Sequence, residues 1–411
     1  MESISTETLA KELLEHCLSS RPWPEHLLDP LIAEAGNRAL FRVVVERLGD
    51  LFEPRLCDAY ADLFADVIAR RLPELHAEHL VARYQRVRQP RKLDRAPASV
   101  FVLSRVTLGA DVAITSILLD AAKQRFPDSQ IFFVGPQKSW ELFAADPRLR
   151  HLAIAYGRSG TLDDRLSIWP QLRDAVCQPN SIVIDPDSRL TQLGLLPICP
   201  EEDYYLFESR AYGGDGDESL SALARRWAAE TFGIPDAQPY IDVGQRHARP
   251  APVSEYATTV SLGIGENPEK RIADPFEEDL LKQLPRPILI DKGAGGEEAH
   301  RVERAVSRAG EDGITMWEGS FAGFAAHIQK SKLYVGYDSA GGHVAAACGV
   351  PLISIFAGFA SERMFQRWRP TGSAPITVLR ADGGHRYDTV RIQISQEDKP
   401  WKPSAWWKPK D

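Results

Sequence analysis

The 411-residue chain is short of several things, and each scarcity narrows what it can be. No apolar run approaches the roughly 20 residues that cross a bilayer. The opening residues, MESISTETLAKELLEHC, show no basic stretch followed by an apolar one. No signal peptide is therefore expected, and a cytoplasmic location is. Cys17, Cys57, Cys177, Cys199 and Cys348 are scattered without a CxxC pair. That excludes a disulfide scaffold or zinc ribbon and suits a reducing compartment. The ten histidines show no metal-ligand spacing, so no bound metal is expected. Positive charge is not in excess either: the net charge is −8, which argues against nucleic acid as a partner. What remains is ordinary globular composition, 44% apolar and 26% charged, at a length that fits two or three domains.

Residues 1–85 read as a small all-α N-terminal domain. Leu9, Leu13, Leu14, Cys17 and Leu18 recur with helical period until Pro22 and Pro24 interrupt. Further helical stripes span Leu27–Ile32, Leu40–Leu51 and Leu56–Leu72, and Pro73 breaks the chain before the stretch to Tyr84. No catalytic group stands out here. The expected role is that of an appendage for docking or self-association. Residues 86–98, RVRQPRKLDRAPA, read as a solvated basic linker.

From residue 99 the pattern alternates. SVFVLSRV (99–106), QIFFVG (130–135) and SIVID (181–185) read as buried strands separated by amphipathic helices, ending in the helix 219–233. After a proline-rich connection a second alternation begins at TTVSLGIG (258–265) and runs to the strand PLISIFAG (351–358). Strand–helix alternation implies parallel sheets with crossover helices. Two successive sets imply an α/β chain of two Rossmann-like domains, 99–245 and 255–372, facing a cleft. Residues 373–411 read as an extension ending in the Trp/Lys/Pro-rich strap DKPWKPSAWWKPKD.

The stretch with most chemistry is VGYDSAGGHVAAACGVPLISIFAG, residues 335–358. A strand runs into Asp338-Ser339, then Gly341, Gly342 and His343 on the first turn of a small-residue helix. Free N–H groups at a helix start favour anions, glycines admit phosphate closely, and Ser339 and His343 supply further donors. An Asp-capped turn with no ligand would show the same residues. Gly263-x-Gly265 is weak as a dinucleotide fingerprint and fits a phosphate loop better. Asp185-Pro186-Asp187 and Asp215-Gly216-Asp217 mimic metal-binding tripeptides but are read as chance pairs, with strand-end residues free to line an acceptor cleft. In 201–218, Tyr204, Tyr205, Arg210 and Tyr212 could contact a sugar, although a loop packed by its own tyrosines explains them as well.

The order Asp-Ser-x-x-x-His-x-Ala-Ala-Ala-x-Gly-x-Pro from Asp338 to Pro351 resembles the donor-site signature of glycosyltransferase family 9. This is the ADP-heptose, or lipopolysaccharide heptosyltransferase, family with the GT-B fold. VFVLSRVTLGADVAITSILLDAAKQRFPDSQIFFVG, SIVIDPDSRLTQLGLL, SLGIGENPEKRIADPFEEDLLKQL and ILIDKGAGGEEAHRVERA resemble further family segments in the same order. The resemblance covers about residues 99–372. It implies an inverting, metal-independent transfer from a nucleoside diphosphate sugar, with no cofactor. Asp111 is implied as the base and Lys270 as the cation at the diphosphate. Glu297 is implied as the ribose carboxylate, with Gly263, Asp338, Ser339, Gly341, Gly342 and His343 around the donor. Arg189, Tyr205 and Arg210 are the candidates for acceptor contact, the acceptor being a carbohydrate, glycolipid or protein. This chain departs from the family in Ala110, inserted between Gly109 and Asp111, and in Ala340, where glycine is usual. A nucleotide-sugar 2-epimerase and a non-catalytic nucleotide-sugar-binding scaffold remain alternatives.

Overall fold

The computed structural model describes residues 5–157, 160–244, 256–265, 267–293, 295–381 and 390–394, the last five as backbone only. The first sheet contains β1 (Ser99–Leu103), β2 (Gln130–Gly135), β3 (Leu149–Ala153), β4 (Ser181–Asp185) and β5 (Tyr204–Leu206). Its order is β3-β2-β1-β4-β5, all parallel. The second contains β6 (Thr258–Ser261), β7 (Ile288–Asp291), β8 (Ile314–Trp317), β9 (Leu333–Tyr337), β10 (Leu352–Phe356), β11 (Ile376–Ala381) and β12 (Val390–Ile394). Its order is β12-β11-β10-β9-β6-β7-β8, parallel except for β12 against β11. The two-sheet GT-B architecture is therefore present. The second sheet runs past residue 372, because β11 and β12 extend it; the terminal tryptophans lie outside the described residues.

The helical head is not an appendage. A parallel sheet must be covered on both faces, and β1 shows what covers it. Val100 and Val102 point into one core with the helices Ser116–Arg125 and Leu220–Phe232. Phe101 and Leu103, on the opposite face, share a core with Leu63, Phe64, Val67 and Ile68 of the helix Pro54–Arg71. Each such buried side chain contributes about 1.5–3 kcal/mol, so this face depends on the head. Polar contacts fix the register. Tyr60 donates to the Gln192 carbonyl at 3.2 Å, and Arg83 donates to the Gly194 carbonyl at 2.9 Å while lying over the Tyr204 ring. The apolar stripe that suggested self-association is thus occupied within the chain.

The basic stretch is largely exposed, as expected of a solvated linker, but it is pinned at several points. Leu93 is buried and its amide donates to the Thr231 carbonyl; Arg91 donates to the Tyr204 carbonyl; Arg95 pairs with Asp203 and donates to the Ser181 carbonyl. At the far end, the helix Glu362–Trp368 leaves the second sheet and returns to the first domain and the head. Arg363 donates to the carbonyls of Phe52 and Gly214, and Arg367 to those of Glu218 and Gly214. Among the described residues no helix is long and apolar enough to cross a membrane.

Candidate active site

In open parallel sheets ligands sit beyond the strand C-termini where the strand order reverses. Those points lie between β1 and β4 in the first sheet and between β6 and β9 in the second. Most of the residues singled out above follow one of these four strands; Glu297 follows β7, and Tyr205 and Arg210 belong to β5 and the loop after it.

On the second-sheet side, β9 delivers Asp338 and Ser339 to the start of the helix Ala340–Ala347. The short turn Pro268–Lys270, capped by Asn267, brings Lys270 across to it. Lys270 Nζ lies 2.8 Å from Asp338 Oδ2 and 3.0 Å from the Asp338 carbonyl. Ser339 is the helix N-cap but its side chain caps nothing. Its Oγ and the Tyr334 hydroxyl lie buried beside one another, neither in a well-formed hydrogen bond. Gly341 is glycine because of that tyrosine: an added Cβ would stand 2.6 Å from the ring carbon bearing the hydroxyl. Gly342 is the third residue of the helix, where an added Cβ would come no nearer than 3.8 Å to a neighbour. His343 is buried; burial pushes its pKa down, opposed by Asp338 and reinforced by Lys270, so the ring is neutral at pH 7. The helix start therefore offers unpaired N–H groups, two hydroxyls and a lysine in one place, which suits a diphosphate.

Glu297 is not turned into this site. It is exposed at the start of the helix Gly296–Ala309. Its neighbour Glu298 folds back over the strand ends instead: an added Cβ at Gly263 would lie 2.8 Å from Glu298 Oε1. Gly263 is thus placed at the site, and the carboxylate beside it is Glu298. Helical phase carried that signal, since Glu298 lies on the stripe of the buried Val302 and Ala305.

On the first-sheet side, Asp111 lies directly after β1 and close to the second domain. An added Cβ at Gly109 would stand 3.3 Å from Ala340 Cα and 3.4 Å from the His343 ring. The Asp111 carboxylate itself is sealed. It is fully buried and accepts from Ser104 Oγ, the Arg105 amide and Thr115 Oγ at 2.8–2.9 Å. Burial raises its pKa, opposed by those hydrogen bonds. Through these bonds it ties the loop after β1 to the following helix. Tyr205 is also displaced from the expected role: it faces the core beneath the Phe232 ring, with Arg91 over it. Arg210 is buried and held by Asp187 at 3.0 and 3.1 Å and by Glu208. Arg189 is different. It lines the pocket, and among the described residues its side chain makes no hydrogen bond or ion pair.

That pocket, about 160 Å³, lies where head, first domain and returning helix meet. Arg105, Thr107, Asp187, Arg189, Leu193 and Arg210 form one wall. Val45, Glu46, Gly49, Asp50 and Phe52 of the head form another, and Trp368 closes it. Trp368 packs its ring against both Phe52 and His343, linking this pocket to the start of the helix Ala340–Ala347. The backbone is strained around it. Phe52, Asp187 and Leu193, in the lining, and Val106 and Gln192, beside it, all have positive φ. Such conformations cost of order 1–3 kcal/mol each and gather at functional sites. Asp50, Phe52 and Trp368 escaped sequence reasoning, because nothing local marks them.

Two Rossmann-like domains, with a helix start suited to an anion at one switch point and a polar pocket at the other, make up a GT-B fold. Residues 297–388 match the profile of glycosyltransferase family 9 (heptosyltransferase). Lipopolysaccharide heptosyltransferase 3 of Escherichia coli (strain K12) is 23% identical over 290 residues, 63% of this chain and 82% of that protein. The E. coli heptosyltransferase WaaC with ADP-2-deoxy-2-fluoro heptose superposes with a TM-score of 0.51 at 16% identity, covering 69% of this chain and 94% of that one. A family 9 glycosyltransferase from Veillonella parvula gives 0.52 at 16% identity, covering 71% and 88%. The chain is thus similar to the heptosyltransferases of glycosyltransferase family 9, and this similarity supports a glycosyltransferase.

Proposed function

We propose that this enzyme transfers a heptosyl group from ADP-heptose to an acceptor hydroxyl in one inverting displacement, without a metal or cofactor. The observation that carries the reading is Lys270 clamped to Asp338 at the start of the helix Ala340–Ala347, beside the unsatisfied Ser339 hydroxyl. A diphosphate leaving group gains negative charge as the glycosidic bond breaks. A fixed ammonium, a hydroxyl and helix N–H groups can meet that charge where another enzyme would use a cation. In this reading Glu298, which lies beside Gly263, takes the nucleoside ribose. Neutral His343 can donate one hydrogen bond to a phosphate or sugar oxygen. The ADP-2-deoxy-2-fluoro heptose held by the WaaC relative favours adenosine and heptose as donor components. The acceptor enters the pocket opposite, where unpaired Arg189 is free to hold a polar group of a carbohydrate, glycolipid or protein.

The test is incubation with ADP-heptose, with and without EDTA, following ADP release and the anomeric configuration of the sugar product. The reading expects ADP, an inverted product and indifference to EDTA. Retention of configuration, or activity that needs an added cation, would contradict it; release of a C2-epimerised sugar would favour the epimerase.

A further inference from the structure

The pocket carries polar groups on two facing walls that the protein itself leaves unspent. Val45, Glu46, Gly49 and Asp50 share one face of the helical run 37–50 of the head. That face lies against the arginine wall: an added Cβ at Gly49 would stand 3.9 Å from Arg210 Cδ. Among the described residues the Glu46 and Asp50 carboxylates make no hydrogen bond or ion pair, and neither does the Arg189 side chain on the far wall. Arg210 spends Nε and Nη2 on Asp187, while its Nη1 is buried with no partner. A buried donor without an acceptor is costly, and a ligand oxygen in the pocket would satisfy it. The lining balances in charge, with Arg105, Arg189 and Arg210 against Glu46, Asp50 and Asp187. It therefore favours neither an acid nor an amine. Acceptors on one wall and donors on the other suit hydroxyl groups, because each hydroxyl both donates and accepts. Phe52 and Trp368, edge to face, add an apolar corner for the C–H face of a ring.

We propose that the helical head selects the acceptor: Glu46 and Asp50 hold the hydroxyls of one uncharged sugar ring against Arg189 and Arg210. This rests on the donor reading above and commits its acceptor to a neutral saccharide. A hydroxyl bound here donates to a head carboxylate and accepts from a guanidinium opposite. The 160 Å³ of the pocket falls below the roughly 300–1,000 Å³ of sites that enclose a drug-sized ligand, so it takes one ring at a time. An acid sugar would gain from Arg189 but would bring its charge against two unpaired carboxylates, and that repulsion supplies the discrimination. The ring is also held near the donor. Trp368, which closes the pocket, packs against His343 on the helix Ala340–Ala347, and Gly109, two residues after the lining Thr107, lies against Ala340. The assignment gives the head a chemical reason to be joined to this fold: it supplies one wall of the acceptor site.

The experiment supplies ADP-heptose with methyl hexosides and methyl heptosides as neutral acceptors, and with methyl hexuronides as acid ones. It follows the heptosylated product and measures ADP affinity alongside. Wild type should use its best neutral acceptor with kcat/KM about tenfold above its best acid one. Asp50→Asn and Glu46→Gln should each raise KM for the neutral acceptor about fivefold or more, with ADP affinity within twofold of wild type. The double variant should bring acid and neutral acceptors to within about twofold of each other, because the repulsive charges are gone. A wild type that prefers the acid acceptors would overturn the proposal. So would a double variant with an unchanged neutral-to-acid ratio, or a wild type that binds ADP yet modifies none of the neutral acceptors. Failure of the donor reading looks different: wild type would then bind no ADP at all, and the proposal would fall with it.

Discussion

Two aspartates of the site meet their surroundings in opposite ways. Asp111 is identified by its place after β1, yet three internal donors satisfy it. Asp111→Ala would orphan Ser104 Oγ, the Arg105 amide and Thr115 Oγ, at a cost of ~3 kcal/mol. Thermal unfolding should show a drop of several degrees. Asp50 should behave in the opposite way. Its folded pKa of about 6 exceeds the roughly 3.9 of an unfolded aspartate, so the folded state holds the proton more tightly. The Asp50 contribution to stability is then most favourable below pH 4 and falls as pH rises towards and through 6. Removing the charge as Asp50→Asn should stabilise the protein by ~2 kcal/mol at pH 7.5 and by almost nothing at pH 4. A melting temperature unchanged at both pH values would contradict this raised proton affinity.

At the scale of elements, strand identity was legible and strand edges were not. SVFVL, QIFFVG, SIVID and ILID are continuous apolar runs because both faces of each sheet are covered, and such runs stand out in a sequence. β3 and β5 lie at the edges of the first sheet with short, mixed sequences, LRHLA and YYL, and carry no comparable pattern. The donor loop was legible for a similar reason. Its chemistry lies in consecutive residues, 338–343, whereas the pocket is assembled from segments more than 300 residues apart. The helix Glu362–Trp368 shows this most clearly. Arg363 reaches the Phe52 carbonyl and Trp368 lies edge-on to the Phe52 ring. No local pattern announces such contacts. Trp368→Ala should remove the shared wall between Phe52 and His343, costing ~3 kcal/mol of packing. It should slow transfer while leaving ADP affinity within a few fold. Unchanged turnover would show that this helix only braces the domains.

At the scale of the whole molecule, the head and the first sheet form one folding unit. Helical period revealed the head's stripes but not their partner, because a stripe suited to docking looks the same as one that covers a sheet. The shared core of Phe64, Val67, Phe101 and Leu103 answers that question. Removal of residues 1–88 should therefore expose one apolar face of a parallel sheet. The remainder should aggregate or lose cooperative unfolding rather than persist as a soluble two-domain transferase. A truncated chain that melts cooperatively with bound ADP would show that the sheet can do without its cover. The same geometry brings the three parts of the chain together at the pocket, with the head as one wall, the loops after β1 and β4 as the second, and Trp368 as the seal.

The most direct test of the account is a thermal-shift comparison of ADP, UDP, GDP and dTDP, each with EDTA and with Mg²⁺. A nucleotide at 100 times its dissociation constant stabilises by about 2.7 kcal/mol. The account predicts a shift with ADP, equal with and without metal, and little with the other three. No shift with ADP, or one that appears only with Mg²⁺, would contradict a metal-free diphosphate site at Lys270 and the start of the helix Ala340–Ala347.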